Sequence, residues 1–340
     1  MKIIVDAMGG DNAPDEVVLG ALNAAKNPDV EVVLVGKGEE ILRSMEKMGI
    51  DKLPDGAEIV NATETIEISD DPANIIRTKK DSSMVVGLNM LRDKKGDAFV
   101  SAGSTGALLS GATLIVKRVR GIRRAALAPF IPSKKDGFIL IDCGANAECT
   151  AEYLLQFAYM GSFYSEDVLK VKNPRVGLLN NGAESSKGTS LQQETYVLLE
   201  QSSLNFVGNV ESKDAMGGAC DVLVCDGFTG NIFLKAVEGT ASLIMSELKS
   251  VFMSTALTKI SALIVKGKMK GLKDKLNPDK IGGTALLGIS KPVIKAHGSS
   301  GAAAIESAVL QAKREALSNI TDRLTKNVEY MKISIDTAAK

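Results

Sequence analysis

Lys2-Ile3-Ile4-Val5 is an unbroken, mostly apolar run that delivers the chain into Asp6-Ala7-Met8-Gly9-Gly10-Asp11, a loop with paired glycines. Pro14 then opens Asp15–Ala25, whose apolar residues recur with helical periodicity. A run without polar alternation suits a strand covered on both faces, as in a parallel sheet held between helical layers. The same unit recurs down the chain. Runs at Glu31–Val35, Ala98–Val100, Phe138–Ile141, Arg175–Leu179, Asn205–Val207 and Val222–Val224 are mostly separated by longer helical stretches such as Leu191–Leu199. The expected fold class is α/β, a mostly parallel sheet with helices on both faces. No fixed-period repeat or low-complexity linker is visible, and composition is even until about Val251. Residues 1–335 are therefore expected to form a single large domain, with 336–340 as a C-terminal tail.

The chain has 340 residues, 45% hydrophobic and 24% charged, with 32 Gly and 9 Pro, a globular balance that excludes disordered, collagen-like and coiled-coil chains. Forty-one basic residues cancel 41 acidic ones, so no global field draws nucleic acid, and none is expected as a partner. Cys143, Cys149, Cys220 and Cys225 show no C-x-x-C spacing, and the lone His297 leaves too few partners for a Cys/His zinc site. The cysteines read as buried small hydrophobes, which suits a reducing cytoplasm, and no metal or cofactor is expected. A carboxylate as early as Asp6 interrupts any signal-peptide apolar region, and no apolar run approaches the ~18 residues of a membrane span. The expectation is a cytoplasmic protein, neither secreted nor integral.

The functional signal lies in the loops at the strand ends. Asp6–Asp11, Ser101-Ala102-Gly103-Ser104-Thr105-Gly106, Asp142-Cys143-Gly144-Ala145-Asn146, Asn180-Asn181-Gly182 and Asp226-Gly227-Phe228-Thr229-Gly230-Asn231 each sit at the C-terminal end of an apolar run. That edge of an open parallel sheet forms the ligand crevice. Glycines let backbone N–H groups approach closely, and helix N-termini add a positive field, so converging loops of this kind favour an anion. Any one of them also fits a simple chain turn. Gly182–Thr189 has its glycine and lysine in the reverse order of a P-loop, no G-x-G-x-x-G opens the first βα unit, and neither Gly103–Gly106 nor Gly298–Gly301 has G-x-S-x-G spacing. Nucleotide triphosphatase, dinucleotide dehydrogenase and serine hydrolase all lose ground.

The loops together resemble the phosphate acyltransferases of bacterial phospholipid synthesis. The resemblance runs nearly end to end, through Val5–Asp11, Ser82-Ser83-Met84, Ser101-Ala102-Gly103 with Thr105-Gly106-Ala107, Gly144-Ala145-Asn146, Pro174–Asn180, Asp226–Asn231 and Pro292–Ser300. It implies a fold like that of isocitrate and isopropylmalate dehydrogenases and phosphotransacetylases. It also implies transfer of a fatty acyl group from acyl carrier protein to orthophosphate, by a homodimer held peripherally on the inner face of the cell membrane. There a membrane glycerol-3-phosphate acyltransferase would consume the acyl phosphate. Asn12 stands where the family often has His, Ser104 where Asn is common, and Glu184-Ser185-Ser186 has fewer acids than usual.

Orthophosphate is mostly dianionic near neutral pH, if a phosphate-ester second pKa of about 6 is a guide. It needs no base before attacking a thioester, so the site must hold phosphate beside the carbonyl and stabilise the developing oxyanion. Lys187 suits the first task and Asn231 the second, and the resemblance points to the same two. Read alone, Lys187 also fits a solvated helix-start lysine and Asn231 a helix cap. Asp6, Gly9, Gly10, Gly103, Ser104, Thr105, Gly106, Asn146, Gly227, Thr229, Gly230 and His297 make up the expected phosphate and substrate-binding set. For Asp6, as for Asp11 and Asp142, a loop-holding role is favoured; His297 fits a phosphate donor or a structural histidine.

Two basic clusters remain. Arg118, Arg120, Arg123 and Arg124 lie in an acid-free run, which fits a solvated face or a dock for the acidic carrier protein. Within 251–276, Met253, Ala256, Leu257, Ile260, Leu263 and Ile264 form a helical stripe followed by Lys266, Lys268, Lys270, Lys273 and Lys275. This segment is expected to be a membrane-facing protrusion, with Leu257, Ile260, Leu263 and Ile264 in contact; packing on the core or on a dimer partner is the competing reading. Rival functions are a phosphotransacetylase-like enzyme using coenzyme A thioesters and a non-catalytic membrane scaffold.

Overall fold

The computed structural model describes residues 1–67, 69–72, 74–276 and 282–331, without the side chains of 272–276. Residues 332–335 of the expected domain, the tail at 336–340, and the side chains of Lys273 and Lys275 lie outside the described residues. In chain order the described strands are β1 (Lys2–Asp6), β2 (Glu31–Gly36), β3 (Ala57–Asn61), β4 (Ala98–Ser101), β5 (Ala126–Ala128) and β6 (Phe130–Ile131). They continue with β7 (Phe138–Ile141), β8 (Val176–Leu179), β9 (Phe206–Val210), β10 (Val222–Val224), β11 (Thr284–Leu287) and β12 (Val293–Lys295). One sheet runs β3-β2-β1-β4-β12-β11-β5 and the other β6-β7-β10-β8-β9. Neighbours are parallel except that β11 opposes both its partners and β6 opposes β7. Only Pro129 separates β5 from β6, so the chain crosses between the sheets in a single residue.

The unbroken apolar runs arise because consecutive residues feed two cores. Ile3 and Val5 of β1 join one buried cluster and Ile4 the other; Val32 and Leu34 of β2 divide from Val33 and Val35 in the same way. In the second sheet Ile139 and Ile141 face one cluster, Phe138 and Leu140 the other. Each strand is thus covered on both faces, as a parallel sheet between helices requires.

The helix Asp15–Ala25 forms where expected, and Ser190–Glu200 contains the expected Leu191–Leu199, opened by a Thr189–Gln192 capping box. Asp15–Ala25 packs on the helix Ala302–Leu317. Its Glu16 Oε2 accepts from the Ala302 amide at 2.6 Å, placing a carboxylate on that second helix's N-terminus. Gly20 lies at the crossing, where a Cβ would stand 2.4 Å from the Ala302 carbonyl oxygen and 2.6 Å from Ile305 Cβ. Gly20→Ala should therefore destabilise by about 1–3 kcal/mol despite its better helix propensity. Denaturant unfolding checks this, and an unchanged midpoint would show that the helices separate at little cost.

Two differences from the sequence reading bear on function. The stripe at 253–264 is not one helix: a long helix, Gly227–Met253, ends before Ser254, and a second, Ala256–Leu276, begins after Thr255. Ser254 Oγ donates to the Val251 carbonyl at 2.8 Å and Thr255 Oγ1 accepts from the Thr258 amide at 3.2 Å, closing one helix and capping the next. Met253 therefore belongs to the first helix. Strand β12, absent from the sequence reading, lies beside β4 with Lys295 opposite Ser101. Since Val5 pairs with Val100, Asp6, Ser101 and Lys295 end neighbouring strands at one sheet edge.

Candidate active site

The loops after these strand ends enclose a cleft of about 1750 Å³. Thr105, Lys295 and His297 line it from the seven-stranded sheet, Gly144, Asn180 and Thr189 from the other, and the long helix from Thr229 to Met245 forms an extended wall.

Asp142 builds one side. Its Oδ1 accepts from the amides of Leu127 at 2.9 Å, Cys143 at 2.6 Å and Ala145 at 3.3 Å. Its Oδ2 accepts from the Asn146 amide at 2.7 Å and from Asn146 Nδ2 at 3.0 Å. Burial pushes its carboxyl above the usual range while these donors pull it back. The second N–H of the Asn146 side chain goes to the Ala125 carbonyl at 2.8 Å, so both its donors fix the loop. The long helix docks here: a Cβ on Gly227 would stand 2.6 Å from the Asn146 carbonyl oxygen, and one on Gly230 would be 2.0 Å from that of Asp142. These glycines permit close packing. Asp226 caps the helix, accepting from the Thr229 amide at 2.8 Å and the Thr229 hydroxyl at 2.7 Å.

Asn231 is left free of that role. It is exposed, lines the cleft, and faces Gly144, where a Cβ would lie 3.7 Å from Asn231 Cγ. The cap reading is thereby replaced: Asp226 is the cap, and the Asn231 amide is available to a ligand.

The opposite side is tied together by Asp6, 1% exposed, which accepts from Ser101 Oγ at 2.7 Å and from the Met8 amide at 3.3 Å. Ser101 Oγ in turn accepts from the Gly103 amide at 3.0 Å. Burial raises the Asp6 carboxyl above its ordinary range. Gly9 packs against this pair, with a Cβ position 2.6 Å from Asp6 Oδ2 and 2.7 Å from the Gly103 nitrogen, and Gly10 has φ +110°. Ser104 caps the helix that begins at Thr105, accepting from the Ala107 amide at 3.5 Å. Gly106 lies in that first turn, close to Pro72. Asn12 Nδ2 reaches the carbonyls of Ser299 at 3.1 Å and Ser300 at 3.3 Å, clasping the loop that bears His297. His297 Nδ1 lies 2.8 Å from Ser299 Oγ.

Lys187 sits at the rim in the loop after β8, its carbonyl accepting from Asn180 Nδ2 at 3.1 Å. Its side chain is exposed, and the flanking Asn181 and Gly188 line the cleft. Asn231, Thr105 and His297 thus line one cleft, with Lys187 at its rim. Thr229 also lines the cleft while its amide and hydroxyl donate to Asp226, whereas Asp6 and Asn146 bond to neighbouring loops, the role favoured for Asp6 from the sequence. Lys295 lies within the Pro292–Ser300 stretch of the resemblance but has no role assigned from sequence, although it follows the apolar pair Val293-Ile294 at the same edge as Asp6.

Cys143 lines the cleft, yet burial pushes its thiol up to about 12; Cys220 and Cys149 reach about 12 for the same reason, and Cys225 is raised well above its ordinary value. Such thiols carry little thiolate. Cys149 is only half-buried, unlike the other three. No cluster of metal-ligating side chains occurs among the described residues.

The four arginines of the basic run are exposed and lie outside the cleft lining. Arg123 pairs with Glu152 at 3.3 Å, Arg118 donates to the Arg123 carbonyl, and Arg124 stacks 5.6 Å from the Tyr153 ring centre. Leu257 and Ile264 are 75% and 81% exposed, and Ile260 and Leu263 are exposed beside them.

A two-sheet α/β enzyme with a loop-built cleft at the strand ends has the architecture of a phosphotransacetylase. The match to a phosphotransacetylase from Streptococcus pyogenes has a TM-score of 0.60 at 18% identity, covering 93% of this chain and 94% of that one. The EutD phosphotransacetylase of Staphylococcus aureus gives 0.61 at 17% identity, with the same shares. Residues 1–323 match the family described as fatty acid synthesis protein. The phosphate acyltransferase of Thermoanaerobacter pseudethanolicus is 45% identical over 332 residues, covering 97% of this chain and 98% of that relative. The chain belongs to the phosphate acyltransferase family.

Proposed function

We propose that this acyltransferase moves a fatty acyl group from an acyl-carrier-protein thioester to orthophosphate, giving acyl phosphate for glycerophospholipid synthesis. The observation that carries the reading is the cleft itself. Asn231 lines it, Asn181 and Gly188 of the loop that bears Lys187 line it too, and apolar side chains of the long helix, including Ile232, Phe233, Ile244 and Met245, form a wall for the acyl chain. A phosphate oxygen attacks the carbonyl carbon, the Asn231 amide donates to the developing oxyanion, and Lys187 offsets phosphate charge. The C–S bond then breaks, and the thiolate leaves on the carrier's prosthetic arm and takes a proton from solvent. No protein nucleophile is required. Purified protein, long-chain acyl carrier protein and phosphate should yield acyl phosphate. Thioester loss that ignores phosphate, or a faster reaction with acyl-coenzyme A, would overturn the reading.

The acting form is read as a homodimer on the inner face of the membrane, where a glycerol-3-phosphate acyltransferase would take the product. Docking of the acidic carrier is assigned to Arg118, Arg120, Arg123 and Arg124, although Glu152 partly offsets Arg123. Reversing these charges should raise the carrier KM about tenfold at low salt, with a smaller effect on kcat and a difference that shrinks as ionic strength rises. A carrier KM indifferent to both changes places docking elsewhere.

A further inference from the structure

Three lysines among the described residues line the cleft: Lys213, Lys235 and Lys295. Lys213 pairs with Glu211 at 3.1 Å and Lys235 with Glu238 at 2.7 Å. Lys295 has no carboxylate partner among the described residues. Its Nζ donates to two backbone carbonyls, Ala102 at 3.3 Å and Ala296, which leaves one of three N–H bonds unspent. It is partly buried at the end of β12, beside the Ser101–Gly106 loop and two residues from His297. An ammonium drawn partly out of water with no carboxylate in direct contact is costly unless an anion completes it.

We propose that Lys295 is the phosphate-binding cation of this enzyme, receiving the orthophosphate dianion in the ground state. The assignment rests on the phosphate acyl-transfer reading above. The groups acting on its charge are Asp6 and Asp11, which favour the ammonium, and Lys235 on the long helix, which opposes it. The flanking strands β4 and β11 carry no charged residue. Burial outweighs the two acids and lowers the pKa of Lys295 to about 8. Phosphate binds the protonated form, so kcat/KM for phosphate should fall about tenfold per pH unit above pH about 8, where phosphate itself does not titrate.

The test combines steady-state kinetics with calorimetric titration of orthophosphate in the absence of carrier. Lys295→Met should raise phosphate KM and Kd at least tenfold, leave carrier KM unchanged and lose the alkaline limb. Lys295→Arg, charged at every pH used, should hold phosphate KM within about threefold and lack a limb near pH 8. If Lys295→Met does not fold, the wild-type and Lys295→Arg profiles decide. A folded Lys295→Met with unchanged phosphate Kd, a limb that persists in Lys295→Arg, or a rise in carrier KM instead of phosphate KM overturns the assignment; the last would put Lys295 against the carrier's own phosphodiester. Wild-type protein that binds phosphate through Lys295 but transfers no acyl group would overturn the acyl-transfer reading alone.

Discussion

Lys187→Ala and Asn231→Ala should each lower turnover by about 10²–10³-fold with the fold intact, the range found when one transition-state donor is removed from a preorganised site. Both side chains are exposed at the cleft, so their truncation leaves no unfilled core and no orphaned buried partner. Helix capping is untouched in Asn231→Ala, because Asp226 supplies the cap through the Thr229 amide and hydroxyl. Cys143→Ser and Cys225→Ser serve as controls and should retain turnover. With burial pushing the Cys143 thiol up to about 12, an acyl-cysteine would need a thiolate that is scarce at neutral pH. Single-turnover assays with radiolabelled acyl carrier check both arms. Full activity in both alanine variants would remove these residues from the chemistry, and an acyl group trapped on either cysteine would replace direct attack by a two-step path.

What the sequence disclosed and what it concealed divide along one physical line. β1, β2, β7 and β10 were legible because burial on both faces writes an unbroken apolar run, as Ile3, Ile4 and Val5 show by splitting between two cores. β3 is half-exposed, β5 is Ala-Leu-Ala, β6 has two residues, and β12 has only Val293 and Ile294 before Lys295, so none shows three bulky apolar residues in a row as Val222–Val224 does. The site obeys the same logic. Loops such as Asp6–Asp11 and Asp142–Asn146 announce themselves by glycine and position. Which of their side chains meets a ligand depends on partners distant in the chain: Asp6 on Ser101, Asn146 on Ala125. Lys295, though within Pro292–Ser300, drew no role because its importance comes from the strand beside it and from the lack of a carboxylate in direct contact, neither of which local spacing encodes.

Leu257→Glu combined with Ile260→Glu should release the protein from anionic liposomes, lowering partition by at least about 10²-fold. The helix Ala256–Leu276 presents Leu257, Ile260, Leu263 and Ile264 to solvent, and Lys266, Lys268 and Lys270 follow them, also exposed. No helix among the described residues is long and apolar enough to cross a membrane, so insertion would have to be shallow. Moving each aliphatic side chain from water into the acyl boundary is worth about 1.5–3 kcal/mol, and the lysines add attraction to anionic headgroups. Two lost insertions therefore account for roughly 3 kcal/mol or more before the repulsion of two new carboxylates is counted. Folding should be little affected, since exposed substitutions away from special contacts stay within about 0.5 kcal/mol. Lys187, Asn231 and Lys295 lie on other elements, so activity on soluble substrate should persist. Liposome co-sedimentation together with light scattering separates the readings. Release with an unaltered particle mass assigns the stripe to the membrane, whereas a fall from dimer to monomer, or undiminished liposome binding by the folded variant, assigns it to the partner subunit or moves the membrane contact to another surface.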